Sequence, residues 1–145
     1  MIGLLQRVSQ ASVTVDGTAI GSIGRGLLVF IGVQPHDGTR QAQRLIERVL
    51  DYRVFPDADG RMNVSVRDIA GGLLLVPQFT LAADTTRGTR ASFTGAALPS
   101  VGSALFDECV QIACAQHPIV ATGRFGADMQ IALINDGPVT FWLEA

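Results

Sequence analysis

Two uninterrupted apolar runs set the strongest limit on how this chain can fold. They cover residues 27–33 (LLVFIGV) and residues 72–76 (GLLLV), and neither contains a polar side chain. Short runs without alternating polar positions are typical of strands that are covered on both faces. Between them, residues 39–52 place apolar side chains at the i, i+3, i+4, i+7 spacing of a helix that buries one face. The sequence therefore predicts two buried strands joined through an amphipathic helix.

Strand patterns cluster toward both ends of the chain. Residues 2–15 alternate in part between apolar and polar side chains, and the Asp16-Gly17 pair that follows is a turn signal. A hairpin is therefore expected over residues 11–20. Three closing strands are expected at residues 119–122, 129–135 and 139–143.

A second helix is expected after a polar loop at residues 80–94, with Ser100 as its N-terminal cap and its end near Gln116. Its inner stripe is expected to consist of Val101, Leu105, Cys109 and Ile112. The resulting order, β-β-β-α-β-α-β-β-β, lacks the strict alternation of a doubly wound fold. We therefore expect an α/β (α+β-like) fold, with a mixed β-sheet in two layers or a partial barrel and two helices packed on one side.

Length and composition predict a single domain over residues 1–145. Hydrophobic residues make up 48% of the chain and charged residues 17%, which suits a packed core rather than disorder. No apolar run reaches the roughly 18 residues that span a membrane, and two cysteines cannot build a disulfide framework. These features favour the cytoplasm.

The net charge of −2 means that any contact with RNA depends on a local patch of basic residues. Neither a membrane nor a DNA partner is expected.

Several familiar kinds of site are absent or incomplete. The chain contains no Lys, which excludes a Schiff base and a P-loop lysine. The glycines of residues 21–26 precede a strand rather than open a helix, as a dinucleotide site requires. His36, His117 and the helix-stripe Cys109 have no spacing that suits a metal, so no metal and no cofactor are expected. A Ser-His-Asp triad stays open, although no GxSxG motif supports it.

Two short segments stand apart from the rest of the chain. Residues 77–81 (PQFTL) follow the second buried strand, where Pro77 should end regular pairing and leave backbone N–H groups free to stabilise an oxyanion. Residues 135–140 (NDGPVT) combine a turn signal with a Gly-Pro bond, which can be cis at modest cost. Taken singly, the first segment is typical of a strand terminus and the second of a hairpin turn.

Together, these segments resemble the two signatures of the D-aminoacyl-tRNA deacylase (D-tyrosyl-tRNA deacylase) family, Ser-Gln-Phe-Thr-Leu and Asn-x-Gly-Pro-Val-Thr. Further similarity runs through almost the whole chain, including Gln6-Arg7-Val8, Ala83-Asp84-Thr85, Gly123-Arg124-Phe125 and Ala127-Asp128-Met129. The resemblance implies a homodimeric hydrolase that cleaves the ester bond of D-aminoacyl-tRNA, and of glycyl-tRNA mischarged on tRNA-Ala.

The same resemblance implies how such an enzyme would select chirality. Gly137 and Pro138 would be joined by a cis bond, and the partner subunit would insert them into each active site. Their carbonyl groups would crowd the face on which an L side chain projects, so that L substrates are excluded rather than D substrates recognised. Arg7 would brace this loop.

For the chemistry, the resemblance implies that the 2′-hydroxyl of the terminal adenosine of the tRNA 3′ end helps to activate water. The N–H groups of Phe79 and Thr80 would hold the carbonyl oxygen, and Gln78 would position the substrate. A nucleophilic Thr80 side chain is the second alternative. Phe125 and Met129 would line the adenosine pocket. The arginines that would meet phosphates, unless they are simply solvated, are Arg87, Arg90 and Arg124.

Pro77 departs from the family pattern, which has Ser at this position. A related editing family with Pro there has looser chirality, whereas Phe79, Val139 and Thr140 match the D-specific family. Pro77 therefore leaves open an aminoacyl-tRNA editor of relaxed chirality. Two further alternatives, independent of Pro77, are a non-catalytic RNA-binding module and a metal-dependent hydrolase of small D-amino acid derivatives.

Overall fold

The computed structural model describes residues 1–145 and contains two α-helices, eight strands and one 3-10 turn. The strands are β1 (Ile2–Val15), β2 (Thr18–Ile23), β3 (Gly26–Gly32), β4 (Phe55–Pro56), β5 (Met62–Val64), β6 (Gly72–Pro77), β7 (Val120–Thr122) and β8 (Gln130–Glu144). The helices are α1 (Thr39–Asp51) and α2 (Pro99–Gln116), and the 3-10 turn covers Phe79–Ala82. Neither helix has the length and apolar character needed to cross a membrane.

The long strand β1 organises the main sheet, because it pairs along both of its edges. One edge pairs with β3 and then with β2, while the other pairs antiparallel with β8 over almost its whole length. Beyond β3, the sheet continues with β6 and then β7, and these three strands are parallel, so the strand order runs β2-β1-β3-β6-β7. A Cβ atom on Gly21 of β2 would lie only 2.8 Å from the Thr122 carbonyl oxygen of β7. The two ends of the path thus approach each other, and the sheet is nearly a barrel.

Both helices lie on one side of this sheet. Helix α1 lies in the connection between the parallel strands β3 and β6, and helix α2 connects the parallel strands β6 and β7. Parallel neighbours in a sheet require crossover connections of this kind. A core of 21 buried residues joins the helices to one face of the sheet, and a second core of seven residues, including Leu28 and Leu74, fills the other face. The predicted mixed sheet with two helices on one side, and the buried strands within it, are confirmed.

Two predictions for the C-terminal half are wrong. The expected strands at residues 129–135 and 139–143 are parts of one strand, β8, and both parts pair with β1. The expected cap Ser100 lies inside α2, which begins at Pro99 without a side-chain cap. Proline has a fixed φ that suits the first helical position and no N–H to satisfy there, so it favours a helix start at this residue.

The buried face of α2 is also rotated relative to the prediction. Val101 is exposed, and the buried residues are Gly102, Leu105, Phe106, Cys109 and Ala113. The helix therefore packs through a small residue near its start, which brings its backbone close to a neighbouring side chain.

Candidate active site

A cleft of about 480 Å³ opens between the C-terminal end of β6, the start of α2 and the segment that leads into β8. Its lining residues are Ile31, Val33, Val76, Pro77, Gln78, Phe79, Ala97, Pro99, Gly102, Phe106, Phe125, Gly126, Ala127, Met129 and Ile131. None of them has an ionisable side chain. Chemistry in this cleft can therefore use backbone groups, the Gln78 amide, the hydroxyl of the adjacent Thr80 or groups that the substrate brings with it.

The rim of the cleft is formed where β6 ends. Gln78 makes the last ladder bond, from its N–H to the Ile31 carbonyl (2.8 Å), and the chain then enters the 3-10 turn. The first hydrogen bond of that turn runs from the N–H of Leu81 to the Gln78 carbonyl (3.2 Å). The N–H groups of Phe79 and Thr80 precede this bond and have no partner within the turn, as at any helix start. Two neighbouring backbone donors are thus available at the rim.

The hydroxyl of Thr80 accepts a hydrogen bond from the Gln78 side-chain amide (2.5 Å). No histidine is placed to act on it, because His36 lies on the surface outside the cleft and His117 is buried with its Nε2 2.6 Å from the Gly71 carbonyl oxygen. The triad that the sequence left open is therefore not formed. No three His, Cys, Asp or Glu side chains lie close enough together to hold a metal ion.

Cys109 is a core residue, as predicted. It is fully buried, and burial raises the pKa of its thiol to about 12. Because the thiolate is the reactive form of cysteine, a thiol with this pKa is inert at neutral pH.

Glycines set the positions of the two large side chains at the back of the cleft. A Cβ atom on Gly102 would lie 3.3 Å from two ring carbons of Phe125, so the ring sits directly against the backbone of α2. A Cβ atom on Gly123 would lie 2.8 Å from Sδ of Met129. That sulfur also accepts the N–H of Arg124 (3.3 Å). Phe125 and Met129 are therefore closely packed against these backbone segments.

The second sequence motif forms a protruding loop within β8. Thr140 pairs with Gln6 of β1, and Asn135 pairs with Val8, so residues 136–139 project from the ladder. The Asn135 side chain closes the base of this loop, since it accepts the N–H of Val139 (2.9 Å) and donates to the Thr140 hydroxyl (2.8 Å).

The tip of this loop carries the Gly137–Pro138 peptide bond, which is cis. Both residues are exposed to solvent. Gly137 has a φ of +139°, which L side chains rarely adopt. Because Gly137 has no side chain, the tip presents backbone atoms together with the Pro138 ring to whatever approaches it.

Arg7 holds this loop from the gap in the β1–β8 ladder. Its Nε donates to the Asp136 carbonyl (2.9 Å) and its Nη1 to the Val54 carbonyl (2.6 Å). Nε also lies 3.5 Å from the Asp136 carboxylate, and only 12% of the Arg7 side chain is exposed. A planar, forked donor in this position fixes the loop against β1 and against the segment after α1.

The expected site residues thus form two separate groups. Gln78, Phe79, Phe125 and Met129 line one cleft, with Thr80 at its rim. The other group, formed by Arg7, Gly137 and Pro138, does not line that cleft. Sequence reasoning missed the apolar walls contributed by residues such as Ala97 and Phe106. A glycine inside a helical pattern, Gly102, was the one available sign of close packing there.

Known proteins similar to this chain belong to one family. A model of the D-Tyr-tRNA(Tyr) deacylase family matches residues 4–144. A D-aminoacyl-tRNA deacylase of Thioalkalivibrio sulfidiphilus is 64% identical over 99% of this chain and 97% of its own length. One from Alkalilimnicola ehrlichii is 65% identical over 100% of this chain and 97% of its own length.

Two solved structures share the fold. One, named c-Myc DNA Unwinding Element Binding Protein, has a TM-score of 0.95 and 34% identity, and covers 100% of this chain and 99% of that one. A probable eukaryotic D-amino acid tRNA deacylase has a TM-score of 0.86 over 99% of this chain and 98% of that one; at 17% identity it shows the fold alone. The resemblance seen in the two motifs is confirmed: the chain belongs to the D-Tyr-tRNA(Tyr) deacylase family and is, like its relatives, an ester hydrolase.

Proposed function

We propose that this protein hydrolyses the ester bond of D-aminoacyl-tRNA in the cytoplasm and releases the free D-amino acid and tRNA. Glycyl-tRNA mischarged on tRNA-Ala is a second substrate in this proposal, because glycine has no side chain to be excluded. The observation that carries the proposal is a cleft without ionisable side chains whose rim offers the N–H groups of Phe79 and Thr80. Such a site suits a substrate that contributes part of its own catalysis.

In the proposed reaction, the 2′-hydroxyl of the terminal adenosine assists a water molecule in attacking the ester carbonyl. The carbonyl oxygen becomes an oxyanion, which the N–H groups of Phe79 and Thr80 stabilise. Collapse of this intermediate breaks the bond to the ribose oxygen, which takes up a proton. Gln78 orients the substrate, while Phe125 and Met129 hold the adenosine.

Chirality is selected at the Gly137–Pro138 tip, whose carbonyl groups leave no room for an L side chain. Because this tip does not line the cleft of its own chain, we propose that it enters the cleft of a second copy. Support for a homodimer comes from β8, which pairs only on one edge and exposes Ile134 and Trp142 by about half. A long, partly apolar edge strand is a surface that proteins normally cover.

Removing the Thr80 hydroxyl tests whether Thr80 contributes to catalysis through its backbone N–H group or through a nucleophilic side chain. With Thr80→Ala and the shape-matched Thr80→Val, kcat for D-Tyr-tRNA should fall by less than about tenfold, because the N–H group at this position is kept. A side-chain nucleophile would make the loss several orders of magnitude. Single-turnover hydrolysis of labelled D-Tyr-tRNA measures the difference, with Thr80→Ser as the control that retains the hydroxyl.

Gly102→Ala tests the role assigned to Phe125. The added methyl must push the ring by a few tenths of an ångström, and KM for D-Tyr-tRNA should rise roughly fivefold while kcat changes little. Thermal stability should not fall, because Ala is a better helix former than Gly. Ser100→Ala, an exposed change on the same helix, is the control. An unchanged KM in Gly102→Ala would contradict the proposal that Phe125 contacts the substrate.

The decisive assay for the proposed function compares D-Tyr-tRNA, L-Tyr-tRNA and glycyl-tRNA with the unaltered protein. We expect the D ester to be cleaved at least about 100-fold faster than the L ester, and the glycyl ester to be cleaved as well. Equal cleavage of D and L esters would favour the editor of relaxed chirality, for which Pro77 in the first motif is the specific support. Binding of the tRNA without cleavage of its ester would favour the RNA-binding module. Loss of hydrolysis in the presence of a metal chelator would favour the metal-dependent hydrolase.

A further inference from the structure

We propose that an arginine loop beside the cleft, residues 84–92, and an aromatic pair at the cleft mouth, Phe79 and Phe93, bind the single-stranded nucleotides that precede the terminal adenosine. This inference rests on the proposed function for the identity of the ligand. It assigns to the protein a second contact with RNA, separate from the adenosine pocket and from the chemistry.

The arginine loop is a closed structure and not an irregular tail. Asp84 and Ser92 exchange two backbone hydrogen bonds, N–H of Asp84 to the Ser92 carbonyl (2.8 Å) and N–H of Ser92 to the Asp84 carbonyl (3.0 Å). Inside the loop, the Asp84 carboxylate accepts both the N–H (2.9 Å) and the hydroxyl (2.7 Å) of Thr86. These two bonds hold the pKa of Asp84 below its usual range. The only carboxylate of the loop is therefore occupied locally.

Two guanidinium groups remain unpaired on this loop. Arg87 and Arg90 are exposed, and neither makes an ion pair or a hydrogen bond with the rest of the chain. By contrast, Arg7 and Arg67 are both engaged by carboxylates and carbonyl groups. In a protein with a net charge of −2, a local positive surface of this kind is what an anionic ligand needs for binding. Guanidinium groups match phosphate oxygens in particular.

The aromatic pair connects this loop to the cleft. Phe93 directly follows the closing residue Ser92, and its ring centroid lies 5.1 Å from that of Phe79, which lines the cleft. Phe93 and Phe79 are 48% and 52% exposed, so about half of each residue is open to a ligand. Exposed aromatic rings beside unpaired arginines are the combination that binds single-stranded nucleic acid, through stacking and phosphate contacts. An acidic peptide would use the arginines but would leave the rings without a role.

The double variant Arg87→Ala/Arg90→Ala tests the loop. Its KM for D-Tyr-tRNA should rise about tenfold or more, with kcat retained, while its KM for D-tyrosyl-adenosine, which lacks the preceding nucleotides, should change less than about twofold. Loss of two phosphate contacts should also reduce the slope of log affinity against log salt by about 1.4. Arg40→Ala/Arg44→Ala removes the same charge from exposed positions of α1 and should behave as the unaltered protein.

Replacements of Phe93 test the aromatic pair in the same two assays. Phe93→Leu should raise KM for D-Tyr-tRNA about tenfold, and Phe93→Tyr, which keeps the ring, should not. Equal changes for D-Tyr-tRNA and D-tyrosyl-adenosine, or no change for D-Tyr-tRNA, would overturn the inference.

A binding measurement separates this inference from the proposed function. The affinity for uncharged tRNA that lacks only its terminal adenosine should exceed that for the same tRNA lacking its last three nucleotides, and the Arg87→Ala/Arg90→Ala variant should lose this difference. If the unaltered protein cleaved no ester, the proposed function would be wrong. The comparison of the two tRNA affinities would still test the inference, because it does not depend on cleavage. Equal affinity for the two tRNAs would overturn the inference even in an active enzyme.

Discussion

Replacing Gly137 by Ala is expected to reduce hydrolysis of D-Tyr-tRNA on the order of 100-fold in a protein that still folds. The backbone at this position has a φ of +139°, and a Cβ atom would lie 2.8 Å from Cγ2 of Val139 and 3.0 Å from Nη2 of Arg7. The Cβ atom would also lie 3.2 Å from the backbone nitrogen of Val139, which is tied to the Asn135 side chain, and the Arg7 guanidinium is held by two carbonyl groups. The tip must therefore shift, and its carbonyl groups shift with it. Rates of D-Tyr-tRNA hydrolysis and circular dichroism spectra measure the two effects.

Gly17→Ala is the matched control for this variant. Gly17 also has a positive φ, +77°, but no atom lies within 4 Å of the position that its added methyl group would take, and it belongs to the turn between β1 and β2. A backbone strain of roughly 1–3 kcal/mol is expected at Gly17, without loss of activity. If Gly137→Ala were fully active and folded, the tip would have no part in catalysis or selection.

Replacing Arg7 by Ala is expected to have the second large effect, a loss of D-Tyr-tRNA hydrolysis of about 100-fold together with a smaller D-to-L ratio. Without Arg7, the carbonyl groups of Asp136 and Val54 lose their donor, and the four-residue projection is held only at its base by Asn135. A mobile tip excludes L side chains less well. Because one ammonium group cannot replace the guanidinium fork, Arg7→Lys should recover little of the activity.

Arg67→Ala serves as the control for the Arg7 variants. Arg67 also bonds a carboxylate, on Asp51, and a carbonyl, on Gln116, but it lies outside the loop and the cleft. Its loss should reduce thermal stability without changing the ratio of D-Tyr-tRNA to L-Tyr-tRNA hydrolysis. An Arg7→Ala enzyme that kept the D-to-L ratio of the unaltered protein would separate Arg7 from chirality selection.

The elements that the sequence predicts well are those whose pattern is local. Helix α1 is predicted at residues 39–52 because its apolar stripe repeats at helical spacing, and the β1–β2 hairpin because Asp16-Gly17 is a strong turn signal; the structure contains both. Both residues of that turn have positive φ, as such a turn requires.

The second motif shows where local reasoning fails. Residues 135–138 (NDGP) have turn chemistry, so a reversal of the chain is expected between two strands. In the structure, both flanks of the motif pair with the same strand, β1, and the motif forms a projection instead of a reversal. The pairing of both flanks with β1 decides between a reversal and a projection, and the sequence of the segment alone does not predict that pairing.

The site was accessible to sequence reasoning only through the family resemblance. The chemistry that we propose for it uses backbone N–H and carbonyl groups, which nearly every residue has, so no distinctive side chain marks them. The cleft walls are apolar residues such as Ala97 and Phe106, which have the same pattern as any core residue. Because no titratable side chain lines the cleft, patterns of titratable residues in the sequence do not point to it.

Mixing two inactive variants tests most directly whether each active site combines the cleft of one chain with the Gly137–Pro138 tip of another. One variant is Gly137→Ala, with an intact cleft, and the other is Gln78→Ala/Phe125→Ala, with an intact tip. After subunit exchange, about half of the dimers contain both chains, and each of these has one intact site, so about a quarter of the unaltered activity should return. Activity no greater than that of the separate variants, in a sample shown to have exchanged subunits, would contradict the account.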